Sequence, residues 1–136
     1  MAIQMSILVR NARLDAIETV VGATAKLLIY DLTAGAPANC AAAITATLLA
    51  TLTLPADWMN AGSGGAKTLL GSWTGTAGAD GTADFFRLMA NDGTTCGMQG
   101  TVGLSGASPD LVMDNTSITT GQTITITTFT LTDANS

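Results

Sequence analysis

Carboxylates that could do chemistry fall in two places in this sequence. Asp80 and Asp84 flank Gly81, and Asp110 and Asp114 stand close to Asn115. Hard oxygen ligands at such spacing suit Ca²⁺, yet neither set follows the EF-hand pattern or repeats as in a calcium-binding β-helix. Asp beside Gly is ordinarily turn chemistry. Histidine is absent and Glu18 is the only glutamate. General acid–base work, activated nucleophiles and zinc sites draw on His, paired carboxylates or primed Cys. Ser6, Ser63, Ser105 and Ser117 have no base nearby in sequence and no G-x-S-x-G setting. The run Gly62–Gly65 precedes Lys67 without the strand–loop–helix of a phosphate-binding loop. The expectation is a chain that is not an enzyme and needs no cofactor and no metal.

Cys40 and Cys96 lie far apart and outside any metal-like spacing. They are expected to be two buried free thiols acting as small hydrophobes, with one long-range disulfide as the alternative in an oxidising setting. Trp58 and Trp73 bracket the Gly62–Gly65 tip. An exposed pair could stack on a sugar ring, which keeps a carbohydrate-binding module in view. With aromatics at only 4% of the chain, packing in a core or interface is the stronger expectation.

Charge narrows the partners. Only 11% of residues are charged, the net charge is −5, and no basic residue follows Arg87. Nucleic-acid affinity comes chiefly from clustered Lys and Arg, so DNA or RNA binding is not expected. The charge-free stretch from Thr33 to Ala56 contains Gly35, Pro37, Asn39 and several threonines, poor material for a lipid-facing helix, and no membrane span is expected. Nor does the N-terminus read as a secretory signal, since Arg10 and Arg13 follow the apolar stretch instead of preceding it. Low charge with a mean hydropathy of +0.40 is awkward for a free monomer and points to a chain packed against copies of itself or a partner.

The elements that must position these residues are one helix and a series of strands within a single domain, residues 1–136. Ser6 is a suitable N-cap, Leu14, Ile17 and Val21 recur on one face, and Gly22 supplies a stop, predicting a helix over 6–21. Strands are predicted over Ala25–Leu32, Leu48–Leu54, Lys67–Thr74, Asp84–Ala90, Thr94–Leu104 and Leu111–Asp114, with a last one after Gly121. Asp57–Asn60 reads as a helical turn or wide loop, and Thr74–Asp84 as an exposed loop. Asn91-Asp92-Gly93 signals a hairpin with a type I′ turn. In the final strand Ile124 and Ile126 share one parity while Phe129 and Leu131 share the other. Burying all four requires an extra residue, hence a β-bulge at Thr127–Thr128. About seven or eight short strands with regular turns predict an all-β chain, an antiparallel β-sandwich of Ig-like or jelly-roll type with one N-terminal helix.

Several stretches together suggest a family: Asn11–Glu18, Lys26–Tyr30, Ala38–Ala43, Leu54–Met59, Thr94–Gly100 and Asp114–Ile118. Over nearly its whole length the chain resembles a set of small structural proteins of tailed bacteriophages. The resemblance carries no functional residues. What it implies is membership of a virion assembled in the bacterial cytoplasm; within one, a one-domain β-sandwich of this size best suits a capsid decoration (cement) protein on the head shell, with a tail, collar or fibre-base subunit as the alternative. The low charge then predicts copies of itself as partners, in a trimer seated where subunits of the major capsid protein meet. Arg10, Arg13, Trp58, Trp73, Asp80 and Asp84 are the candidate partner-contact residues.

Overall fold

A computed structural model describes residues 1–134; the last two residues of the predicted domain lie outside the described residues. The helix, α1 (Ile7–Val21), starts where Ser6 accepts a hydrogen bond from the Val9 amide at 3.3 Å. It ends at Gly22, whose φ of 92° only glycine adopts without strain. Nine strands follow: β1 (Lys26–Asp31), β2 (Leu48–Thr53), β3 (Ala66–Thr68), β4 (Thr74–Thr76), β5 (Gly81–Met89), β6 (Cys96–Gly103), β7 (Leu111–Met113), β8 (Ser117–Ile118) and β9 (Thr123–Thr132). Among the described residues the chain is thus mostly β with a single N-terminal helix, as expected from its pattern.

The strands form one curled, mixed sheet in the order β2-β1-β5-β6-β7-β9-β3, with β4 paired to β9 and β8 to β5. Just past β4, Ala77 bridges back to Ala50 of β2, and the Gly78 amide donates to the Leu49 carbonyl at 2.8 Å. The sheet therefore curls until its far end touches its first strand. One pairing departs from the antiparallel expectation: β6 and β7 run parallel. Between them the connection Leu104–Asp110 reverses the chain twice, using positive φ at Gly106 (93°) and Ser108 (56°).

Inside the curl lie Leu27, Ile29, Leu52, Phe86, Leu88, Ile124, Ile126 and Phe129, with both tryptophans. Phe86 meets Phe129 edge-on at 5.7 Å, and Trp73 packs between Phe129 and Trp58. The predicted bulge is present: Val112 pairs with Thr128 and Met113 with Ile126, so Thr127 has no partner. Ile124, Ile126 and Phe129 are buried, and Leu131, partly buried, packs against the same core.

Further expectations need correction, among them the strand over Lys67–Thr74, which is broken into β3 and the start of β4. Thr74–Asp84 is not one loop: β4 pairs with β9 and β5 begins at Gly81, because the backbone hydrogen bonds of Thr74–Thr76 are met by Thr123–Thr125. The hairpin after β5 is longer than a type I′ turn; Ala90 bonds to Thr95, and only Gly93 has positive φ. The Asp92 carboxylate accepts from Thr94 and Thr95, which stabilises the wider loop and pulls its pKa to about 2. Finally, Cys40 and Cys96 are not free thiols but a disulfide joining residues 56 apart in sequence.

That disulfide holds the long stretch between β1 and β2 against the outer face of the sheet. Its neck is closed by the Asp31 carboxylate, which accepts from the Thr33 amide and hydroxyl and from the Thr47 amide. Arg87, buried on β5, donates to the carbonyls of Asn39 and Ala42 at 2.9 and 2.7 Å, and Gln99 donates to that of Pro37 at 2.6 Å. A segment with few large apolar side chains is thus fixed by polar bonds and one covalent bond.

Candidate functional site

Most of the side-chain chemistry gathers at the seam between α1 and the loop that leads into β3. Lys67 is 3% exposed, and its ammonium lies 2.8 Å from Asp15 and 3.1 Å from Glu18, which sit one turn apart on the helix. Each carboxylate also accepts from loop backbone. Asp15 takes the Gly62 amide at 2.7 Å, and Glu18 takes the amides of Trp58 and Met59 at 2.9 and 3.1 Å. Asn11 accepts from Gly65, and Arg10 donates to the Asp133 carbonyl at 2.6 Å. The polar side of α1 is therefore a clasp onto the sheet and not a solvated face.

The electrostatics follow from those bonds. Lys67 and Gly62 hold the Asp15 carboxyl below its ordinary value. Burial alone would raise Glu18, but Lys67 and the two amides outweigh it and lower the group. Burial would likewise depress Lys67, yet the two carboxylates keep it raised. All three are held in their charged forms. Beside them an open groove of about 540 Å³ runs between α1 and the 56–61 loop, lined by Thr19, Asp57, Met59, Asn60 and Leu70. A lysine locked between two carboxylates is neither a nucleophile nor a proton donor near neutral pH, so the cluster works as a structural tie.

The residues singled out in the sequence do not converge. Trp58 is fully buried and Trp73 is 1% exposed, so neither can stack on a sugar or contact a partner. Their indole N–H groups are spent internally, Trp58 on the Gly22 carbonyl at the end of α1 and Trp73 on those of Trp58 and Leu70. Asp80 accepts from the Thr120 amide and hydroxyl at 2.6 and 2.7 Å, which is turn chemistry, while half-buried Asp84 belongs to β5. Asp110 accepts from Thr101, and Asn115 from Ser117. Among the described residues no cluster of three or more His, Cys, Asp or Glu could hold a metal ion, and no helix is long and apolar enough to cross a membrane. Arg13, its side chain 56% exposed, pairs with Asp133 at 3.3 Å and remains on the surface.

Exposed apolar residues were the feature the sequence concealed. Leu14 and Val21 are buried under α1, with Ile17 half-buried, yet Leu8 is 77% exposed and Val20 84%. Of the nine large exposed hydrophobics among the described residues, six lie within residues 1–20. The signal was available in the i, i+4 row Leu8, Ala12, Ala16, Val20, which only becomes an outer face once the polar residues turn inward. No protein family, no curated protein and no solved structure matches this chain.

Proposed function

We propose that this chain is a non-catalytic structural protein of a tailed-bacteriophage particle, and within it a decoration protein that binds and stabilises the head shell alongside copies of itself. The observation that carries the reading is the exposed apolar surface of α1 and the residues before it, on a chain whose charged groups are largely consumed in internal bonds. A surface of that kind is made to be covered. The disulfide and the buried Arg87 fix a long charge-free segment on the opposite side of the sheet from the core, giving a preformed face. In this reading the disulfide closes once the particle leaves the reducing cytoplasm.

A tail, collar or fibre-base role uses the same construction and differs in copy number. The sugar-binding alternative loses its platform with the burial of both tryptophans. The experiment is to add purified protein to head shells assembled without it, from the phage that encodes it. Saturable binding that raises the temperature at which the shells open is the expected result. Shells left bare at excess protein would reject the decoration role.

A further inference from the structure

The segment between β1 and β2 covers an aromatic pair that lies outside the core. Tyr30 and Phe85 face each other across β1 and β5, on the side of the sheet opposite to Ile29 and Phe86, with their rings stacked at 5.0 Å. Neither belongs to the core inside the curl, yet Phe85 is fully buried and Tyr30 is 8% exposed. What crosses that face is the strap 33–47. It starts and ends beside Tyr30, where Asp31 bonds Thr33 and Thr47, and its middle is bonded to Arg87 and Gln99, which share the face with Phe85. No residue of 33–47 is itself buried, and none is charged. The strap therefore has little apolar anchorage of its own, and segments of that kind are the first to open. One covalent bond, Cys40–Cys96, pins its middle. Both cysteines are half-buried, and Cys96 lines the open groove between α1 and β6, so the bond is within reach of thiols in solution.

We propose that the Cys40–Cys96 disulfide is a redox latch: oxidised, it keeps the strap shut over Tyr30 and Phe85; reduced, it lets the strap lift about its neck at Asp31 and bares the pair. The reductant is a dithiol. Its thiolate attacks one sulfur of the disulfide, and the other cysteine leaves as a thiolate. The second thiol of the reductant then displaces the first cysteine, so that two electrons and two protons pass from the dithiol to the cysteines and the reductant becomes a disulfide. The bonds from Arg87, Gln99 and Asp31 do not depend on redox state, so the lifted strap keeps a closed position to return to on oxidation. The latch goes beyond the proposed function and needs neither shell nor particle. Within that reading it leaves the strap loose in the reducing cytoplasm and fixed outside it.

Tyr30 is the only tyrosine, so its reactivity reports on the strap directly. Tetranitromethane is applied to the oxidised chain and to Cys40→Ser with Cys96→Ser, which has no thiol to consume the reagent. Nitration of Tyr30 should be on the order of tenfold faster in the variant, as for a site uncovered by local opening. The second measurement uses the natural chain: amide exchange when oxidised, after reduction with dithiothreitol, and after reoxidation. Amides of 38–43 should exchange on the order of tenfold faster when reduced and recover on reoxidation, with β5 protected throughout. Equal nitration or equal exchange in the two states would overturn the latch, as would a disulfide that dithiothreitol leaves intact without denaturant. Loss of protection across β5 on reduction would overturn it as well, by making the bond a staple of the whole fold. None of these readouts involves shell binding, so the latch and the decoration role fail separately.

Discussion

Lys67 shows how a residue that looks reactive in a list can be purely structural. It is buried, and both of its partners lie on α1, so the helix is tied to the sheet by charge as well as by Leu14 and Val21. Replacing it with Met leaves largely buried Glu18 and half-exposed Asp15 without their cation. The expected cost is about 3 kcal/mol, toward the low end for breaking a buried pair because Asp15 is partly wet. Urea unfolding at pH 7 measures it, and a change under about 0.5 kcal/mol, the range of an ordinary surface substitution, would contradict the clasp. The pH dependence has a definite sign. Asp15 and Glu18 titrate lower folded than unfolded, so the stability they confer is present above about pH 4.5 and is lost as pH falls through their folded values. Lys67 titrates higher folded, so its share is present below its ordinary 10.5 and is lost as pH rises beyond it. The urea midpoint of wild type should therefore fall between pH 5 and pH 3 more than that of Lys67→Met; equal falls would contradict it.

At the scale of elements, the chain carried its local signals openly. Ser6 and Gly22 marked the helix ends, and the parity switch between Ile126 and Phe129 marked the bulge, because each is a property of neighbours in sequence. What was not legible depends on distance along the chain. Lys67 meets Asp15 some fifty residues away, β6 finds β7 in parallel across an irregular connection, and Cys40 pairs with Cys96; no local pattern encodes these. The polar side of α1 depends on the same distant contacts: Asp15 and Glu18 turn inward to backbone amides of the 58–62 loop and to Lys67, and Arg10 to the Asp133 carbonyl. The disulfide carries its own prediction. Closing a loop of this length contributes about 4 kcal/mol in the chain-entropy picture, so Cys40→Ser with Cys96→Ser should lower stability by about 2–4 kcal/mol. Arg87, Gln99 and Asp31 still hold the segment, so amide exchange across 33–47 should rise without the sheet opening. Global unfolding of the double variant at 25 °C would show that the polar anchors do not suffice.

For the whole molecule, a curled sheet closes on a core of aromatic and aliphatic side chains, and six of the nine large exposed hydrophobics among the described residues lie within residues 1–20. Its scarce charges tie elements together, its tryptophans fill the core, and its helix keeps Leu8 and Val20 exposed. The proposed virion role is tested most directly by counting copies of this chain in purified phage particles, by quantitative mass spectrometry against the major capsid protein. A decoration protein should be present at on the order of hundreds of copies, in fixed ratio to the shell lattice. A handful to a few dozen copies would move it to the neck or tail, and its absence from the particle would contradict the structural role altogether.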